Sequence, residues 1–244
     1  MKIIIVTNFI TEYLLKKKSL HYSYRIVFHP ETIGAIAYIN KNLSKLKKNV
    51  IAGYVITCVG DNKTYSYLKS KEENSLSNRA ALNILKNNYK KFEIYEFTKS
   101  GSDERRYNAP GVNLPIGSLM RSKYGEYKEY HTSLDDLKFI SKNGFQESFE
   151  IYTKILSLLD NNFKYKIKTI CEPNLGKRNL YPLVSKWPNP KKYTEIENLM
   201  NFISYADGTK DLINIADKLK ISGLALIEIV EKLKKENLLD YKLK

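Results

Sequence analysis

Apolar side chains at Ile3, Val6, Ile10, Tyr13 and Leu14 recur at helical spacing, and the Lys16–Lys18 run behind them suits a helix C-terminus. The chain is therefore expected to open on a helix. Tyr22–Phe28 is rich in aromatic and β-branched residues and reads as a strand ending at His29-Pro30. Ile36, Ile39, Leu43 and Leu46 mark a second helix, so a strand-to-helix junction is expected at Pro30-Glu31-Thr32. Val50–Val59 is a nearly continuous apolar run closed by Gly60-Asp61, the pattern of a central strand buried on both faces. Asn78–Leu85 reads as helix, Phe92–Phe97 as extended, Leu114–Met120 as an extended buried segment and Gln146–Leu159 as helix. This alternation predicts an α/β layered domain with a largely parallel sheet, whose sites lie at the strand carboxyl ends.

The pattern breaks between Cys171 and Pro190, where Pro173, Gly176, Pro182, Pro188 and Pro190 predict irregular structure and a boundary. Beyond it, Leu199–Tyr205, Leu212–Leu219 and Leu224–Leu233 are three short helical patterns, with Asp207-Gly208 between the first two and Ser222 as N-cap of the third. Three helices in so short a span predict a helix-turn-helix or winged-helix module over residues 191–244, after an α/β domain over residues 1–190.

Composition changes this picture little. The hydrophobic share is 43%, the aromatic share 12% and the charged share 27%, which suits a folded globular chain. The formal net charge of +15 favours anionic partners such as nucleic acid, but the lysines are scattered along the whole length rather than clustered. Cys58 and Cys171 stand far apart outside any C-x-x-C pattern, which argues against a cysteine metal site and fits a reducing cytoplasm. No stretch approaches the roughly 20 apolar residues of a membrane span, so no membrane partner is expected.

Chemistry is sought first at the scarce histidines, His21, His29 and His131. His21 reads as a surface residue. His29 adjoins Glu31 at the strand-to-helix junction, as a hydrogen-bonded structural group or a substrate-facing one. His131, in Tyr130-His131-Thr132-Ser133-Leu134-Asp135, follows the strand over Leu114–Met120; it reads equally as a metal or catalytic group and as a hydrogen-bonded loop histidine. Gly101-Ser102-Asp103-Glu104-Arg105 concentrates charge beside a glycine between two strands, as an ordered loop, a substrate-facing one or an exposed charged turn.

Taken in order, His29-Pro30-Glu31-Thr32-Ile33-Gly34, Val59-Gly60-Asp61, Gly101-Ser102-Asp103-Glu104-Arg105, Met120-Arg121-Ser122-Lys123-Tyr124-Gly125-Glu126-Tyr127, Tyr130-His131-Thr132-Ser133-Leu134-Asp135 and Cys171-Glu172-Pro173-Asn174-Leu175-Gly176 resemble the blocks of the DUF4910 aminopeptidase-like family. That family is similar in turn to the M28 zinc aminopeptidases, and its members carry a C-terminal winged helix. The resemblance implies hydrolysis of a peptide or related amide bond, with zinc as cofactor, Glu31 as general base and His131 as metal ligand. Asp103, Glu104 and Asp135 are implied as orienting or substrate-binding groups. Family members are also linked to polysaccharide biosynthesis, which implies an amide on a sugar as another substrate class.

The match departs from the M28 pattern at two positions: Thr32 and Thr57 stand where metal-binding carboxylates are expected. A block carrying a histidine and a bridging aspartate precedes the first helix in the family and is not in this sequence. The chain is therefore expected to be part of a longer enzyme, to work with an N-terminal partner polypeptide, or to have lost catalysis. In the last case it would be a non-catalytic interaction or nucleic-acid-binding protein. The helix over Ser222–Glu236 mixes Lys232, Lys234 and Lys235 with Glu228, Glu231 and Glu236, which favours packing or partner docking over DNA binding.

Overall fold

The computed structural model describes residues 2–181 and 190–242. Contacts divide the chain into two compact units, Met1–Leu156 and Ser157–Lys244.

The first unit opens with α1 (Lys2–Leu15) and α2 (Ile33–Asn49), followed by β1 (Gly53–Ile56), β2 (Ser66–Leu68), α3 (Leu76–Asn88), β3 (Glu93–Tyr95), the short α4 (Asp103–Tyr107), β4 (Ile116–Met120) and α5 (Lys142–Asp160), within which the division falls. The strands form one sheet in the order β1-β4-β2-β3. β1 and β4 are parallel, as are β2 and β3, while β2 runs antiparallel to β4. The fold is α/β as expected, but the sheet is mixed rather than largely parallel.

Alternation along the strands sends Tyr54, Tyr67 and Leu119 to one face and Leu68, Ser118 and Met120 to the other. On the first face lie α3 and α5. The Tyr54 hydroxyl donates to the Ser77 carbonyl at 2.8 Å, the Tyr67 hydroxyl to Asn78 Oδ1 at 2.8 Å, and the Tyr152 hydroxyl to the Leu119 carbonyl at 2.6 Å. Ala80, Ala81, Ile84 and Leu85 of α3 have no exposed surface. On the second face lies α4, with α2 packed against it through Ala35, Ile39, Leu46, Tyr107 and Leu114.

Two expected strands are corrected. Tyr22–Phe28 forms no strand: it has no ladder partner, and Ile26, Val27 and Phe28 are exposed, so its β-rich composition lacks the pairing that makes such residues a strand. Val50–Val59 is not a central strand: only Gly53–Ile56 pairs, at the sheet edge and half-buried. The sequence reading also left β2 undetected, a three-residue strand too short to show a period.

The second unit contains β5 (Lys164–Ile167), α6 (Pro190–Tyr205), β6 (Asp207–Asp211), α7 (Leu212–Leu219), α8 (Gly223–Lys235) and β7 (Leu239–Lys242). α7 and α8 fall where the periodicity places them, whereas α6 begins at Pro190, ahead of the expected start at Leu199. α7 is capped by Asp211, which accepts from Asn214 N–H, and α8 by Ser222, which accepts from Leu224 N–H. The strands form an antiparallel sheet in the order β6-β5-β7. β5 precedes the Pro-rich stretch yet occupies the centre of this sheet, so the compact unit begins earlier than the expected boundary at residue 190. Residues 182–189 of that stretch lie outside the described residues; Cys171–Tyr181 is irregular apart from one 3-10 turn at Gly176–Arg178.

Gly144, in the first turn of α5, sets how closely that helix approaches the end of β1: a Cβ there would stand 2.2 Å from the Gly60 carbonyl oxygen. Gly→Ala in an open helix stabilises by roughly 0.5–1 kcal/mol. At Gly144 the clash is with backbone, and the sign reverses. Gly144→Ala is expected to destabilise by about 1–3 kcal/mol, read from urea unfolding.

Candidate active site

The site is assembled around the first turn of α2. Gly34 lets the chain fold back over that turn, since a Cβ there would meet Pro30 Cδ at 2.8 Å and His29 Cβ at 2.9 Å. Thr32, the residue before the helix, is held at φ 61°, a left-handed conformation that is strained for a β-branched residue. Its N–H donates to Asp103 Oδ1 at 2.8 Å, so a carboxylate from α4 caps the N-terminus of α2. Beside it the Glu31 carboxylate stands exposed, accepting a short hydrogen bond from the Ser102 hydroxyl.

His29 lies on the other side of Asp103. Its Nδ1 is 3.0 Å from the Pro30 carbonyl and 3.8 Å from Asp103 Oδ2, and its Nε2 is 3.0 Å from the Tyr107 hydroxyl. A carbonyl can only accept, so in the neutral ring Nδ1 carries the proton and Nε2 accepts from Tyr107. Burial raises the Asp103 carboxyl above the usual range, against the lowering effect of the Thr32 N–H and of His29. Burial, reinforced by Asp103, pushes the Tyr107 hydroxyl up to about 12.

Glu104 points the opposite way, into the core. It has no exposed surface and accepts four hydrogen bonds: from the N–H groups of Gly101 and Ser102, both at 3.1 Å, from Ser118 Oγ on β4 at 2.7 Å, and from the Tyr124 hydroxyl at 2.6 Å. The Tyr124 hydroxyl accepts in turn from the Gly101 N–H at 2.7 Å. The loop that presents Ser102 to Glu31 is thus fixed from beneath.

Glu31 and Asp103 therefore lie at the first turn of α2 while Glu104 is buried beneath them, and the charged block is a five-residue helix rather than an exposed turn. His131 and Asp135 lie apart from this core, exposed in the loop after β4. His131 is at φ 56° with its ring stacked 3.9 Å from that of Tyr130. Burial raises the Tyr130 hydroxyl above its ordinary value, reinforced by the Glu31 carboxylate. Cys58, at φ 48°, receives a hydrogen bond from the Tyr127 hydroxyl at 3.4 Å, and burial raises its thiol. Sequence reasoning gave no role to Ser102, Tyr107, Ser118 or Tyr124. Ser102 and Tyr124 lie inside blocks it singled out, so only their contacts were missing.

These residues do not fit a catalytic zinc. Such sites use three protein ligands plus water, and among the described residues no group of three or more His, Cys, Asp or Glu side chains could hold a metal ion. Asp103 is engaged by Thr32 and His29, and Glu104 by four donors. Among the described residues no helix is long and apolar enough to cross a membrane.

A curated Clostridium acetobutylicum protein, named "Putative polysaccharide biosynthesis protein with aminopeptidase-like domain", is 38% identical over 213 residues, which are 86% of this chain and 48% of that protein. A crystal structure of a "putative peptidase" from the same organism superposes with a TM-score of 0.85 at 32% identity, over 98% of this chain and 53% of that one. The chain thus spans about half the length of the relatives it matches. Residues 164–241 match a winged helix-turn-helix family, and residues 2–162 match the domain of unknown function DUF4910. The chain belongs to the DUF4910 family and carries a winged-helix module behind its family domain.

Proposed function

We propose that this chain is the proton-handling part of an aminopeptidase-like hydrolase acting on a peptide or related amide bond, with Glu31 as general base. The observation that carries the reading is the mounting of Glu31. One exposed carboxylate is held by Ser102, on a loop whose next two residues are anchored to α2 and to the core. Ser102 engages Oε1 and leaves Oε2 for water, so Glu31 would take a proton from the attacking water and return it to the leaving amine. Asp103 and Glu104 act as positioning residues. The names of the relatives support a peptide substrate or an amide on a sugar. His131, with Asp135 near it in sequence, is the metal ligand that the family resemblance implies, carried in the loop after β4. The zinc dependence implied by the M28 resemblance needs donors beyond those described, and no step here passes through a metal. The free thiols Cys58 and Cys171 support a cytoplasmic setting.

The test is hydrolysis of aminoacyl p-nitroanilides and of N-acylated amino sugars. Glu31→Gln is expected to lower kcat about 10²-fold or more while leaving thermal stability near wild type. Undiminished turnover in that variant would remove the base assignment.

Glu104→Ala removes the acceptor shared by the buried Ser118 and Tyr124 hydroxyls and the Gly101 and Ser102 N–H groups, and is expected to cost on the order of 3–5 kcal/mol in denaturant unfolding. A cost near that of an exposed substitution would show that Glu104 does not organise the loop.

Asp103→Asn keeps the acceptor for the Thr32 N–H but removes the buried charge. The folded Asp103 carboxyl titrates above its ordinary value of 3.8, so the wild type loses stability as pH rises from that value through the folded one. Melting curves from pH 3 to 7 are expected to show the variant gaining on the wild type over that interval, with the difference between them constant above it. A lead that instead passes to the wild type with rising pH would show that Asp103 is net stabilised by its ionised contacts.

A further inference from the structure

The outward face of α2 changes character along its length. Ala35, Ile39 and Leu46 form its buried side, and the opposite side faces solvent. In the first turns that side carries Ile33, 78% exposed, and Ile36, 52% exposed. In the later turns it carries Lys41, Lys45 and Lys48, all exposed, whose spacings of four and three residues align them in one stripe.

Ordinary helix chemistry does not account for this stripe. Cations stabilise the last turn of a helix through its dipole, which explains Lys47 and Lys48 and leaves Lys41 and Lys45 without that role. Lys47 is engaged by the Gly111 carbonyl at 3.1 Å. The sequence has no acidic residue between Glu31 and Asp61, and among the described residues no carboxylate pairs with Lys41, Lys45 or Lys48. Arg25, which reaches the Tyr38 hydroxyl at 3.1 Å, adds another positive charge beside the same helix.

Glu31 stands just ahead of α2, so the apolar turns adjoin it and the basic turns lie further off. At ~1.5 Å of rise per residue, Lys41 and Lys48 stand about 12 and 22 Å along the axis from Ile33, which an extended peptide spans in about four to seven residues. We infer that the outward face of α2 docks a peptide substrate that is apolar next to its scissile amide and acidic about four to seven residues beyond it. The inference rests on the reading of Glu31 as general base, which fixes where the scissile amide lies. Acidic side chains of the peptide meet Lys41, Lys45 and Lys48 in turn, as exposed ion pairs that set register and speed encounter. A glycan or a single-stranded nucleic acid is disfavoured as occupant, because such ligands stack on aromatic rings and the ring on this helix, Tyr38, is half-buried beside His29.

The probe is a synthetic peptide, labelled at its carboxyl end, with leucines after its amino-terminal residue and glutamates over the fourth to seventh positions beyond it. An isomer carries the glutamates first and the leucines after them. Fluorescence anisotropy with the full chain at low ionic strength is expected to show the first peptide binding at least fivefold more tightly than the isomer. Lys41→Gln, Lys45→Gln and Lys48→Gln combined are expected to weaken its binding about tenfold, the loss that three exposed ion pairs give, and to abolish the preference between the isomers, with melting unchanged. The inference is overturned if the triple variant binds the peptide as the wild type does or if the isomers bind the wild type equally. It is also overturned if duplex DNA binds the wild type more tightly than the peptide and loses that binding in the triple variant. Affinity is read without turnover, so failure of the Glu31 assignment shows in the kcat of Glu31→Gln and failure of the docking face in these affinities.

Discussion

A carboxylate without solvent contact must recover from the protein the hydrogen bonds that water would supply, since stranding it costs several kcal/mol. Glu104 does so with donors from three segments: the backbone of Gly101 and Ser102, the Ser118 hydroxyl on β4 and the Tyr124 hydroxyl in the loop beyond. Satisfaction is complete only when loop, sheet and following loop are all in place. Three consecutive residues then face three ways. Ser102 meets Glu31, Asp103 caps α2 through Thr32 and touches His29, and Glu104 anchors the turn. The strained φ of Thr32 is tolerated because Asp103 holds its N–H from outside the helix.

How far the sequence is legible follows from how local each cause is. The helices α1, α2, α3, α5, α7 and α8 are readable because a 3.6-residue apolar period is a property of the segment itself. Strands depend on partners far away. Tyr22–Phe28 has the composition of a strand and no partner, so it stays irregular, whereas Lys164–Ile167, flanked by lysines, is a strand because β6 and β7 flank it. The Asp103–Glu104 block is readable as charge beside glycine and Glu31 as a carboxylate at the start of a helix, but their division of labour is not, because it depends on which carboxylate turns inward. Burial decides that, and burial is a tertiary fact.

The winged-helix module shows the same dependence. β5 fills the centre of its sheet, between β6 and β7, although it lies ahead of all three helices in sequence. β7 therefore pairs with a strand from the other end of the unit, and no tight hairpin joins them as a wing. On α8 the exposed positions include Glu228, Glu231, Lys232 and Lys235, while Lys234 is taken up by Glu231 at 3.6 Å and by the Tyr241 ring at 4.7 Å. Among these exposed positions the charges balance, Glu228 and Glu231 against Lys232 and Lys235.

Strand direction explains where the chemistry gathers. β1 and β4 are a parallel pair, and both finish on one side of the sheet. From the end of β1 come Cys58 and Asp61; from the end of β4 come Arg121, Ser122 and Tyr124. Asp61 locks the two ends together by accepting from the Ser122 N–H and hydroxyl, while its carbonyl accepts from Arg121 Nε. β2 runs antiparallel to β4 and, with β3, finishes on the opposite side, away from this cluster. A mixed sheet thus offers a pair of carboxyl ends on each side instead of a row of four on one. The Ser102 loop is tied to β4 through Glu104, which accepts from Ser118 on the strand and from Tyr124 beyond it, and Ser102 in turn meets Glu31.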